Sequence, residues 1–97
     1  MQCVLVHADG AVEDVHLWQR DASARLGGAV TFVGAVTEAR AFAVGLRDAA
    51  HLPVNVACTD PARFEAPVRG SVLFVGTDDE GEEVPVERKV LLECLKK

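Results

Sequence analysis

Ser71-Val72-Leu73-Phe74-Val75 is the clearest strand in this sequence, and it runs straight into Gly76-Thr77-Asp78-Asp79-Glu80-Gly81-Glu82-Glu83. The apolar run is β-branched and aromatic, as strands are. Gly76 and the acids after it read as an exposed turn. Beyond the turn, Pro85 suits a first helical position, where a missing N–H does no harm. Acids precede it, and Lys89, Lys96 and Lys97 lie toward the far end, an arrangement that complements a helix dipole. Val86, Val90, Leu91, Cys94 and Leu95 form one apolar face. The spacing predicts a C-terminal amphipathic helix.

Working back from Ser71, three prolines (Pro53, Pro61 and Pro67) exclude any long regular element between His51 and Gly70. Asp60-Pro61 can start one short helical turn there, over 61–64. Thr37–Ala50 supports two readings. Ala39, Phe42, Ala43, Leu46 and Ala50 have helical spacing with Thr37 as cap, while Arg40, Phe42, Val44 and Leu46 also alternate as in a strand. Gly45 counts mildly against the helix. Residues 29–34, AVTFVG, read as a strand. Asp21 can cap a helix over Ala22–Leu26, and Gly27-Gly28 ends it. Gln2–His7 is a Val-rich run, Ala8-Asp9-Gly10 a turn, and Ala11–Leu17 alternates with one slip. That slip predicts a hairpin with a bulge or an early strand end. The expected architecture is α+β: a small single domain of about five short, mostly antiparallel strands, with two helices packed on one face.

The 97 residues are 49% hydrophobic and 26% charged, with formal net charge −5. That length supports one modest core. No apolar run approaches the roughly 20 residues that span a bilayer. No basic segment followed by an apolar stretch opens the chain, so no secretory signal is read. Cys3, Cys58 and Cys94 are too few and too dispersed for a disulfide framework, which points to a reducing, cytoplasmic setting. Val and Ala supply 16 and 14 residues, Ile and Tyr none, a bias that fits a GC-rich gene. Charge is localised. Asp78, Asp79, Glu80, Glu82, Glu83 and Glu87 fall in ten residues without a base, and the remaining nine acids face ten bases. The whole net charge therefore comes from one segment.

Six like charges at that density must be solvated, bound to a cation or opposed by a basic partner. Placing Gly81 at the sixth position of a calcium loop puts Asp78, Glu80 and Glu87 at positions three, five and twelve. Position one is then Gly76, which offers no side-chain oxygen, and a strand stands where a helix should enter. No metal or cofactor is expected. His7, His16 and His51 have no metal-ligand spacing, although His7 and His16 flank the first hairpin and could face each other across it. The cysteines and Trp18 read as core residues. GxxxxGKS, GxGxxG and GxSxG patterns are absent, and no catalytic residue is assigned. Arg20, Arg25, Arg40, Arg47, Arg63 and Arg69 are scattered, so no nucleic-acid stripe forms.

Leu52-Pro53-Val54-Asn55, followed by the Gly70-led strand and Val75-Gly76-Thr77-Asp78-Asp79-Glu80-Gly81-Glu82, resembles a small domain of unknown function common in phage and mobile-element genomes. Its pattern is an LPxN element, then a Gly-led strand ending in G-x-DDEG, then a C-terminal helix. The resemblance covers nearly the whole chain, strongest from Gly70 to Glu82 and weakest before Gly27. The segment between Val56 and Val68 is compressed relative to that pattern. The resemblance implies a strand over 40–46 and a phage or mobile-element setting, and implies no activity.

The expected function is that of a non-enzymatic accessory or interaction protein, whose acidic turn meets a host or phage protein with a basic surface. The alternatives are a small-ligand or divalent-metal module and an inhibitor of host defence. Candidate binding residues are Asn55, Asp78, Asp79, Glu80 and Glu82. Asn55 also has a structural reading, since an Asn after a proline-stiffened tripeptide often bonds turn backbone. Neither nucleic acid nor membrane is an expected partner. A homodimer through an uncovered sheet face or edge is.

Overall fold

A computed structural model describes residues 1–65 and 67–96. The strands are β1 (Gln2–Val6), β2 (Val12–His16), β3 (Val30–Val36), β4 (Ala41–Leu46), β5 (Val72–Thr77) and the two-residue β6 (Glu83–Val84). Two helices, α1 (Ala22–Leu26) and α2 (Arg88–Leu95), and two short 3-10 turns (Gln19–Asp21 and Thr37–Ala39) complete the described elements. All pairings between strands are antiparallel, in the order β2-β1-β5-β4-β3. β6 pairs with Gly76 and Thr77 at the end of β5. The α+β class and the antiparallel sheet agree with the sequence reading, and of the stretch expected as a strand, Ala41–Leu46 is one, while Arg40 precedes it in a left-handed turn.

β5 lies at the centre because its side chains are apolar on both faces. Val72 and Phe74 point into one cluster with Val4, Val6, Ala43, Cys58, Phe64 and Leu91. Leu73 and Val75 point into the other with Cys3, Leu5, Val15, Ala22 and Val44. Period-two alternation in a strand allows this, since successive side chains take opposite faces. The helices consequently separate: α2 supplies Leu91 and Cys94 to the first cluster, α1 supplies Ala22 and Leu26 to the second. The expectation that both pack on one face is corrected by this division. The five-residue α1 covers its face incompletely, and Phe32, opposite Val44, stays 50% exposed there.

Local chemistry explains where element ends differ from expectation. Val86 N–H donates to the Gln2 carbonyl at 3.1 Å, which ties the chain to the sheet and delays α2 until Arg88. Pro85 is therefore outside the helix. Lys89 enters the first turn, and the helix has neither an acid in its first turn nor a base in its last. The expected charges remain at the two helix ends, with Glu87 at the N-cap and Lys96 at the C-cap, and Lys89 opposes them. Asp21 does not cap α1 either. Its carboxylate accepts the Trp18 N–H at 3.1 Å instead, because residues 19–21 close a 3-10 turn first. Gly27 ends α1 as expected, left-handed at φ 89°. Of the two readings of the first hairpin the early strand end is found, since β2 stops at His16 in unbroken register with β1; a separate register shift lies in β3 between Phe32 and Gly34.

Trp18 is not a core residue: it is 43% exposed, with the Arg20 guanidinium 5.8 Å from its ring centre. Leu17, beside it, packs against the core in its place. His7 and His16 do not face each other, because His16 pairs with Gln2 at the open end of the hairpin while His7 stands by its turn. The segment from 51 to 70 crosses the first face, placing Cys58, Phe64 and Val68 there, with no helix among its described residues. Asp60 opens a single turn at Pro61, its carbonyl accepting from the N–H groups of Arg63 and Phe64 at 3.0 Å. Phe64 then packs edge-on against Phe74, with ring centres 6.4 Å apart. All three cysteines are buried and free.

Candidate functional site

The acidic turn joins β5 to β6, and Asp78 builds it. Its N–H donates to the Glu82 carbonyl at 3.0 Å, and its carbonyl accepts from Gly81 at 3.1 Å. The Asp78 carboxylate closes the inside of the turn: Oδ1 accepts the N–H groups of Glu80 and Glu82, each at 2.9 Å. Gly81 sits at φ 83°, where a side chain would be strained. Gly76 is required for a different reason. A Cβ there would stand 2.4 Å from the Val84 carbonyl oxygen, so only glycine lets β6 lie against β5.

This geometry divides the predicted acids into two roles. Asp78 is half-buried and engaged with backbone. Asp79, Glu80 and Glu82 are exposed, the Asp79 side chain to 89%. Arg40 lies beside them, its Nη1 4.0 Å from the Asp79 carboxylate. Arg40 is placed there by its own backbone, left-handed at φ 49°, with its carbonyl accepting the Thr77 N–H at 2.8 Å. Among the described residues no cation lies within ion-pair distance of Glu80 or Glu82. Glu87 leaves the turn altogether and stands at the start of α2. The calcium-loop spacing of Asp78, Glu80 and Glu87 is thus broken by β6 and Pro85. No group of three His, Cys, Asp or Glu side chains among the described residues has the geometry to hold a metal ion.

Asn55 belongs elsewhere. Its side chain is fully buried, and Nδ2 donates to the carbonyls of Val6 at 3.1 Å and Gly70 at 2.9 Å. Oδ1 accepts the Ala57 N–H at 3.0 Å, while the Asn55 N–H donates to Val68 at 2.7 Å. The amide stitches the 51–70 segment to the ends of β1 and β5. Gly70 and the acidic turn lie at opposite ends of β5, about 23 Å apart for seven steps of about 3.3 Å. The structure does not bring Asn55 to Asp78, Asp79, Glu80 and Glu82.

A group that sequence reasoning missed lies near Asn55. One step beyond the Val6–Val72 pair, His7 on β1's end meets Ser71 on β5's start. The Ser71 hydroxyl is 3.3 Å from His7 Nδ1, and His7 Nε2 is 3.1 Å from Glu13 Oε1. Glu13 Oε2 in turn accepts from Arg25 of α1 at 2.8 Å. The His7 and Arg25 hydrogen bonds hold the Glu13 carboxyl below its usual range. His7, Glu13 and Ser71 sit at even spacing from Leu5, Val15 and Leu73, so all three project from the α1 face. That alternation was legible, but the register aligning positions 64 apart was not.

The buried thiols lack this kind of support. Burial pushes Cys58 up to about 12 and raises Cys3. A shallow cleft borders Ser71 and His7, walled by Pro53, Val54 and Val56. Comparison of the chain with protein-family models, curated proteins and solved structures returns no match. No described helix is long and apolar enough to cross a membrane.

Proposed function

We propose that this domain is an accessory interaction protein that docks its β5–β6 hairpin onto a basic surface of a partner protein. The observation that carries the reading is the Asp78 carboxylate, which accepts the N–H groups of Glu80 and Glu82 and so holds the turn in one shape. A turn ordered before binding loses little freedom on docking, and its affinity benefits accordingly. Asp79, Glu80 and Glu82 are then a fixed pattern of exposed carboxylates, suited to steering and orienting a cationic partner. Docking of this kind requires no chemistry at the hairpin. The resemblance to a phage and mobile-element domain supports a setting in the cytoplasm of a cell carrying such an element.

The test is capture from cell lysate on immobilised parent and on the triple variant Asp79→Asn, Glu80→Gln, Glu82→Gln. Asp78 is kept because it forms the turn. The parent is expected to retain a basic-surfaced protein that elutes as salt is raised, and the variant to lose it. Retention of the same protein by the variant contradicts the reading. Millimolar calcium that raises the melting temperature of the parent alone would replace it with divalent-cation binding, since a ligand of the folded state stabilises that state.

A further inference from the structure

We propose that Ser71 is a nucleophile that accepts acyl groups from small esters with apolar acyl chains, with His7 as its base and Glu13 as a positioning residue. The site stands at the opposite end of β5 from the acidic hairpin and is independent of it. Glu13 fixes the tautomer of His7. Its carboxylate, kept ionised by His7 and Arg25, only accepts hydrogen bonds. His7 Nε2 must therefore carry the proton it shares with Glu13. In the neutral imidazole this leaves Nδ1 with a free lone pair, and the atom beside that lone pair is Ser71 Oγ at 3.3 Å. The hydroxyl is the donor. Nucleophile, base and orienting acid stand in sequence, the arrangement that activates a serine. The ring nitrogens have exchanged the places they hold in the Ser-His-Asp template, which leaves the direction of proton flow unchanged.

The surroundings suggest the substrate class. Val54 and Val56 are exposed, Val56 to 62%, and wall the cleft beside Ser71 together with Pro53. Val56 is held there by its N–H bond to the Ala8 carbonyl at 3.0 Å. Such a wall takes a short hydrocarbon chain. In the reaction Ser71 Oγ bonds to the acyl carbon and its proton passes to His7 Nδ1. The ester C–O bond breaks, and the departing alkoxide takes that proton from Nδ1. Water attacks the acyl-serine by the same route, releasing the carboxylic acid and restoring the hydroxyl; this second step is the slower one, so the acyl group accumulates on Ser71 Oγ.

The experiment incubates the full chain with p-nitrophenyl butyrate and follows p-nitrophenol release and protein mass, locating any adduct by peptide mapping. One butyryl group on Ser71 is expected. Ser71→Ala should take none, and Ser71→Cys should still be acylated at that position. His7→Ala should acylate at least about 100-fold more slowly, the usual contribution of a general base. Added imidazole should restore part of that loss, which a purely structural histidine would not allow. Glu13→Gln should slow acylation while leaving the melting temperature near that of the parent. Absence of an adduct, an adduct confined to lysines or to His7, equal acylation of Ser71→Ala, or a His7→Ala rate equal to the parent's would each overturn the proposal.

Discussion

Asn55 joins three parts of the chain with one amide, and no water reaches it. Replacing it with Ala strips the Val6 and Gly70 carbonyls and the Ala57 N–H of a partner in a closed site. Leaving buried polar groups unpaired costs about 1–3 kcal/mol each, and partial relaxation makes a total of about 2–4 kcal/mol the expected loss. Melting curves of Asn55→Ala should fall by about 10 °C or more for a chain of this size. A variant melting within two degrees of the parent would show that the amide is not a structural tie. Cys58 is predictable in the same way. The thiolate is the reactive form, and burial pushes its thiol up to about 12. Iodoacetamide at pH 8 should leave Cys58 unlabelled in the folded protein and label it after denaturation, read by mass spectrometry. Fast labelling in the folded state would contradict the described burial. Asn55 was legible as a turn former from its place after Leu52-Pro53-Val54. Its bond to Ala57 is that local turn, whereas its two distant partners, Val6 and Gly70, were not legible, because they are set by how the segment crosses the sheet.

Elements were legible where their signal is local. The Val-rich runs of β1 and β5 and the left-handed Gly27 stop follow from residue chemistry alone. The start of α2 was misread because the bond between Val86 and Gln2, far apart in sequence, outweighs the local preference of Pro85 for a first helical turn. A comparable long-range tie joins the turn after β3 to the 60–65 loop. Arg63 donates twice to Glu38, both bonds at 2.7 Å, holding the Glu38 carboxyl at about 2 against its usual 4.5. A carboxyl lowered on folding contributes stability that is fully present above its unfolded value and is lost as pH falls toward its folded one. The window is therefore about pH 4.5 to 2. Across it the melting temperature of the parent should fall more steeply than that of Glu38→Gln, which has no such proton to take up. Parallel curves would mean that the pair contributes nothing.

At the scale of the molecule, a central strand apolar on both faces dictates a helix on each side, a consequence local periodicity does not reveal. With a helix on each face and Phe32 the large side chain of the sheet left half exposed, the edges remain. β2 presents Glu13, Asp14 and His16, and the outer side of β3 is bridged at Gly34 by Phe64. Charged or covered edges resist strand pairing between copies. Sedimentation at micromolar concentration should therefore give a 10.4 kDa species rather than the homodimer that an open sheet face would favour. A dominant dimer would show that another surface mediates self-association. The acidic hairpin was the part of the site most legible in sequence, because its charge density stands out without any knowledge of the fold. The division of labour inside it was not, since Asp78 and Asp79 are indistinguishable until the turn closes. The central claim is that Asp79, Glu80 and Glu82 dock a basic partner, and its most direct test is the partner's dissociation constant measured across a salt series for the parent and the triple variant. Raising salt from 0.1 M to 1 M shortens the screening length from about 10 Å to about 3 Å. The parent should bind tightly at low salt and weaken steeply, and the variant should bind weakly with a flatter dependence; equal affinities and equal salt slopes would contradict the account.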